Sequence, residues 1–174
     1  GEDVGRTLAA LRGLGVQIEH DPRGWRFAGT GLRGLHPAPG PLDCGNSGTS
    51  MRLLCGLLAA QPFDSRLVGD ASLSRRPMRR VAVPLAAMGA KIECEGSEGR
   101  PPVVVRHAGR ALCGISHRVG VDSAQVRTAI LLAGLYATGP TRIEPAGSSR
   151  DHTERLLRAC HVYVRRDARG LELF

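Results

Sequence analysis

Cys44-Gly45-Asn46-Ser47-Gly48-Thr49-Ser50-Met51-Arg52 runs directly into Leu53-Leu54-Cys55-Gly56-Leu57-Leu58. Small, flexible residues thus open an apolar helical run. A helix start leaves backbone N–H groups unpaired at its positive dipole end. With no bulky side chain in the way, an anion can approach those donors closely. The same Asn-Ser-Gly-Thr is also a plain turn and N-cap. Three further stretches carry related chemistry. Gly69-Asp70-Ala71-Ser72-Leu73-Ser74-Arg75-Arg76-Pro77-Met78-Arg79-Arg80 gathers four arginines around a helix-initiating proline. Val121-Asp122-Ser123-Ala124-Gln125-Val126-Arg127 opens a second apolar helix on a small polar turn. Ser148-Ser149-Arg150-Asp151-His152-Thr153-Glu154-Arg155 opens a third with hydroxyls and an arginine. Each is furnished for a phosphate or a carboxylate.

These segments need a scaffold, and 174 residues with 42% hydrophobic content can bury one. The net charge is +8, and Lys91 is the only lysine. Arginine binds phosphate and carboxylate bidentately, so the excess suits an anionic ligand. Aromatic residues make up 3% of the chain, too few for the stacking surfaces that accompany nucleic-acid binding. We therefore expect no nucleic acid as partner. Cys44, Cys55, Cys94, Cys113 and Cys160 are odd in number, dispersed and free of Cys-x-x-Cys. That pattern argues for a reducing, cytoplasmic setting without a disulfide framework or zinc site. The six histidines show no metal-ligand spacing. No apolar run approaches membrane-spanning length, so no membrane partner is expected.

One order of elements recurs: an amphipathic helix, a stop, a β-branched strand, a polar turn and a second strand. The first copy takes Val4–Gly13 as helix, then Val16–Glu19, the turn Asp21-Pro22-Arg23-Gly24, and Trp25–Phe27. The second takes Pro77–Met88, then Ala90–Glu93 and Pro102–Val105, with a kink expected at Pro84. The third takes Thr153–Cys160, then Val162–Val164 and Leu171–Phe174. Gly15 and Gly89 stop the first two helices, whereas His161 stands at the third stop, without the favoured glycine. Gly48–Ala60 and Gln125–Leu135 have few polar residues on any face and should be buried helices. Strands follow them at Ser65–Val68 and Thr141–Glu144. The first copy has no such preceding helix, so the sequence reads as part of something longer.

Four stretches carry a specific resemblance: Gly45-Asn46-Ser47-Gly48-Thr49-Ser50-Met51-Arg52, Arg75-Arg76-Pro77-Met78-Arg79-Arg80-Val81, Ser123-Ala124-Gln125-Val126-Arg127 and Ser149-Arg150-Asp151-His152-Thr153-Glu154-Arg155. In this order they resemble the 5-enolpyruvylshikimate-3-phosphate synthase family, in its class II wording, over one domain of a two-domain enzyme. The resemblance implies an α/β domain, residues 1–174, of three βαβαββ-type repeats around pseudo-threefold symmetry, with buried parallel helices and outer sheets. It implies transfer of the enolpyruvyl group of phosphoenolpyruvate to the 5-hydroxyl of shikimate 3-phosphate, releasing phosphate, with no cofactor and no metal. That chemistry needs acid–base groups and electrostatic clamps.

By the same resemblance, shikimate 3-phosphate is held by Ser123, Ala124, Gln125, Ser149 and Arg150. Phosphoenolpyruvate is held by Asn46, Gly48, Thr49, Arg76 and Gln125. The family's acid–base carboxylates belong to the second domain, so no catalytic residue is assigned here, and that domain is an implied partner. Gly48 also falls where the family's inhibitor glyphosate binds. Arg52 and His152 are left with open roles. A sister enolpyruvyltransferase acting on UDP-N-acetylglucosamine usually carries a reactive cysteine where this chain has Ala71. An RNA-interacting α/β module is the alternative from another class.

Overall fold

Glu2 and Asp3 in the first turn and Arg12 in the last complement the dipole of helix α1 (Glu2–Gly13). The chain then forms the antiparallel hairpin β1 (Gln17–Asp21) and β2 (Gly24–Ala28). A short strand β3 (Leu42–Asp43) precedes helix α2 (Gly48–Leu58) and strand β4 (Ser65–Val68). Helix α3 (Arg79–Ala87) leads into β5 (Lys91–Gly96) and β6 (Arg100–Arg106). After β7 (Leu112–Cys113) come β8 (Ser116–Arg118), helix α4 (Ala124–Gly134), β9 (Ala137–Thr138) and β10 (Thr141–Glu144). Helix α5 (His152–Ala159) and the strands β11 (Val164–Arg166) and β12 (Leu171–Leu173) end the chain. This computed structural model describes residues 1–118, 120, 123–145 and 150–174.

Two four-stranded sheets share one plan. In the first the order is β3-β4-β6-β5, and in the second β8-β10-β12-β11. Each begins with a parallel pair joined through a helix, β3 with β4 and β8 with β10. Each ends with two antiparallel pairings. Both segments therefore follow βαβαββ, with α2 and α4 in corresponding places. The first copy is represented by α1 and its hairpin, the αββ end of the same unit.

Inside, Met51, Leu54, Cys55 and Leu58 of α2 meet Ala129, Ile130, Leu131 and Ala133 of α4 in one buried cluster. Sheet residues Leu67, Val103, Val105, Ile143, Leu171 and Leu173 close it from outside. The two helices lie very close because position 56 is glycine. A Cβ there would stand 2.2 Å from the Ala129 carbonyl oxygen. Thr49 bonds to Gln125 near their starts and Gly56 abuts Ala129 further along. The helices thus run side by side in the same direction, and their N-termini emerge together.

The expected strands at Ser65–Val68 and Thr141–Glu144 form over those residues. The strand expected at Val162–Val164 instead begins at Val164; Val162 N–H is tied to the Leu157 carbonyl at 2.9 Å, as Val16 and Ala90 are tied to their helices at the matching turns. Pro84 lies inside α3, which continues past it to Ala87. Gly15 and Gly89 take φ of 91° and 100°, the left-handed region that favours glycine. His161 takes the same turn with φ 60°. Among the described residues, no helix is long and apolar enough to cross a membrane.

Candidate functional site

The turn before α2 is fixed from behind. Asp43 Oδ1 accepts the Gly45 N–H at 2.8 Å, and the Gly45 carbonyl accepts the Asp70 N–H at 2.9 Å. Ser47 is the N-cap: its Oγ accepts the Ser50 N–H at 3.1 Å. The Ser50 hydroxyl lies 2.8 Å from Ser47 Oγ and 2.6 Å from Thr7 Oγ1. These hydroxyls lock the turn onto α1 and leave Gly48 and Thr49 as its forward face.

Arg52, one turn beyond Gly48, folds back over that face. Its Nη1 donates to Gln125 Oε1 at 2.8 Å and to the Gly48 carbonyl at 3.2 Å; its Nη2 donates to the Pro77 carbonyl at 3.2 Å. Arginine has only donors, so the amide oxygen of Gln125 must face it. The amide nitrogen then donates to Thr49 Oγ1 at 2.8 Å. Arg76 leans in from the loop after β4 and donates to Asn46 Oδ1. A Cβ at Gly48 would stand 2.7 Å from Arg52 Nη1 and 3.3 Å from Arg76 Nη1. Two guanidinium groups therefore flank the helix start.

The charge around this point is uncompensated. Arg6, Arg26, Arg66, Arg100, Arg106, Arg127, Arg142 and Arg165 all pair with carboxylates. Among the described residues, Arg52, Arg76 and Arg80 have no acidic partner, which is also true of Arg12, Arg33, Arg79 and Arg110; what sets these three apart is their closeness to one another. Burial holds the Arg52 guanidinium below its ordinary pKa, and repulsion from Arg76 and Arg80 adds to this, with Cys55 opposing. Like charges crowded beside a dipole end favour an anion between them.

Beside this cluster lies a hollow of about 510 Å³ lined by Thr49, Ala124, Gln125, Thr128, Arg150 and His152 among others. Ser123 caps α4, its Oγ accepting the Val126 N–H at 3.5 Å. Arg150 is exposed, but its backbone is anchored from below. Arg127 donates to the Arg150 carbonyl and forms an ion pair with Glu154, Nε to Oε1, at 2.9 Å. Thr128 and Thr153 hydroxyls meet at 2.6 Å and tie α4 to α5.

The fold thus brings Asn46, Gly48, Thr49 and Arg76 to one end of the Arg52–Gln125 bridge. It brings Ala124 and Arg150 to the other. Gln125 joins the two groups through Thr49. Ser123 stands at the α4 cap, where its hydroxyl is engaged with the backbone. Asn46 presents its oxygen to Arg76, so it orients that arginine. Ser149 lies outside the described residues. His152, given no role by its sequence, lines the hollow. Arg52 and Arg127 were the residues that sequence reasoning undervalued. Their signals were a cation one turn after Gly48 and a cation inside an otherwise apolar helix, where a buried charge must find a partner.

The model of the EPSP synthase (3-phosphoshikimate 1-carboxyvinyltransferase) family matches residues 1–173. A 3-phosphoshikimate 1-carboxyvinyltransferase of Xanthomonas campestris pv. campestris is 58% identical over 165 residues, 94% of this chain and 37% of the relative. The enzyme of that name from Alkalilimnicola ehrlichii is 54% identical over 170 residues, 97% of this chain and 38% of the relative. In three dimensions, EPSP synthase from Acinetobacter baumannii superposes with a TM-score of 0.94 at 48% identity, covering 99% of this chain and 39% of that one. This chain spans less than two fifths of the length of these relatives. At this identity, across nearly its whole length and with the same arrangement of elements, the chain belongs to the EPSP synthase family.

Proposed function

We propose that residues 1–174 form one substrate-binding domain of a two-domain enolpyruvyltransferase. The longer enzyme would move the enolpyruvyl group of phosphoenolpyruvate to the 5-hydroxyl of shikimate 3-phosphate. Two anionic substrates need a site whose cations are not spent on carboxylates. The observation that carries the reading is the pair of guanidinium groups, Arg52 and Arg76, crowded together at the Gly48 helix start, with Arg80 near enough to repel Arg52, and joined to the hollow by Gln125. In this reading the Gly48–Thr49 turn and Arg76 hold phosphoenolpyruvate. Ser123, the Ala124 backbone, Ser149 and Arg150 hold shikimate 3-phosphate, and Gln125 lies between the two. The second domain is the partner that would close the site. Cys44, Cys55, Cys94, Cys113 and Cys160 are all free thiols, which suits a cytoplasmic protein.

Calorimetric titration of the chain with shikimate 3-phosphate, with and without phosphoenolpyruvate, tests the reading. We expect weak binding, because half of the site faces water. Arg150→Ala should cost on the order of 1.5–3 kcal/mol of that affinity, the range for a charge-assisted hydrogen bond. No binding by the wild-type chain, or an unchanged affinity in the variant, would remove the site from this hollow.

A further inference from the structure

Arg127 sits one turn inside α4, in a helix whose other buried residues are apolar. Its side chain is 3% exposed and its partner Glu154 is 1% exposed. Buried ion pairs contribute little to stability compared with an apolar pair of similar volume. Stability alone is therefore a weak account of this one. The geometry offers another. Arg127 Nε meets Glu154 Oε1 at 2.9 Å, while its Nη2 reaches the carbonyl oxygen of Arg150. Glu154 lies in the first turn of α5 and Arg150 just before that helix. One guanidinium thus fixes both the start of α5 and the residue that leads into it. Arg150 itself is exposed, with its side chain on the rim of the hollow shared with Gln125.

We infer that Arg127 and Glu154 are positioning residues: their buried pair holds the Arg150 backbone so that its guanidinium stays over the hollow. The guanidinium is suited to this task because it is planar and has several donors in a fixed fork, so a carboxylate and a carbonyl can be served together. The inference rests on the substrate assignment proposed above only for what Arg150 binds. Where Arg150 is held is a separate matter.

Two variants separate positioning from simple stabilisation. Arg127→Leu/Glu154→Leu removes both charges of the buried pair together. Arg127→Lys keeps the charge but replaces the planar fork with one compact ammonium, which cannot hold both acceptors in the same geometry. Thermal melts establish that each variant folds. The first readout is the NMR signals of the Arg150 amide and side-chain Nε–H group. Both variants should shift or broaden them while the signals of α2 and its sheet stay in place. The second readout is shikimate 3-phosphate affinity by calorimetry. Displacing the Arg150 contact can cost at most what losing a charge-assisted hydrogen bond costs, so a loss of up to about ten- to a hundredfold is expected. In an Arg150→Ala background the same substitutions should cost almost nothing more. Unmoved Arg150 signals, or an equal loss of affinity with and without the Arg150 side chain, would overturn the inference. If the signals move but even the wild-type chain fails to bind shikimate 3-phosphate, positioning stands and the substrate assignment falls.

Discussion

Gly48 leaves room for two guanidinium groups. The sequence alone suggests that a methyl group there would meet the bound molecule. The structure adds that it would first meet Arg52 Nη1, at 2.7 Å, and then Arg76 Nη1, at 3.3 Å. Both are ends of long side chains and can swing aside. Arg52 cannot do so without loosening its bond to Gln125. Gly48→Ala should therefore crowd this turn and shift both cations. Glyphosate is longer than phosphoenolpyruvate, and the family resemblance places it at this turn. A crowded turn should exclude the longer ligand more, since selectivity is a difference between two binding energies. In the longer enzyme we expect glyphosate inhibition to weaken by a larger factor than the KM for phosphoenolpyruvate rises. Inhibition assays on the wild type and the variant measure both. Equal factors would show that Gly48 does not discriminate between the two ligands.

At the scale of elements, what brings the starts of α2 and α4 together is the contact between those helices. Gly56 sets its closeness. A methyl group at position 56 would lie 2.2 Å from a carbonyl oxygen and 2.7 Å from a Cα, both backbone atoms of Ala129. Backbone yields less readily than a side-chain tip, so Gly56→Ala must push the helices apart. Overpacking of this kind costs about 1–3 kcal/mol, and a denaturant titration reads it directly. Because Thr49 and Gln125 sit at the ends of the same two helices, their bond should loosen as well. His161 gives the opposite case. It holds φ 60° on the surface, where the matching turns use Gly15 and Gly89. A left-handed non-glycine residue is strained, while glycine is freer in the unfolded chain. His161→Gly should thus raise stability by roughly 0.5–1 kcal/mol. An unchanged or lower melting temperature would mean that the histidine ring makes a contact worth as much as the strain.

For the molecule as a whole, repeated helix–strand order was legible because periodicity and glycine stops are local signals. The βαβαββ plan of Leu42–Arg106 and Ser116–Leu173 follows from them. The buried helices could be read because α2 and α4 lack polar faces. The pairings within the site were not legible, because Arg52 with Gln125 and Arg127 with Glu154 are joined across the sequence by packing alone. The late start of the strand at Val164 also escaped, and the bond that Val162 makes to α5 does not account for it alone, since Val16 and Ala90 make the same bond one residue before their strands.

The same whole-molecule view separates holding from reacting. Enolpyruvyl transfer through a tetrahedral intermediate requires groups that give and take protons. The cluster at Gly48 consists of arginines, a glutamine amide, a threonine hydroxyl and backbone. Arginine stays protonated at neutral pH, and an amide has no useful pKa. Among the described residues, no carboxylate forms an ion pair with Arg52, Arg76 or Arg80. The hollow beside them is open to water, where charge stabilisation is weak. We therefore expect the chain to bind shikimate 3-phosphate yet release no phosphate from a mixture with phosphoenolpyruvate. Adding the remaining part of the longer enzyme as a separate polypeptide should restore release if the two parts associate. Phosphate assays on the purified chain, with an Arg76→Ala control for contaminating host enzyme, test this. Turnover by the chain alone that disappears in the control would mean that the proton-transfer groups lie within these 174 residues.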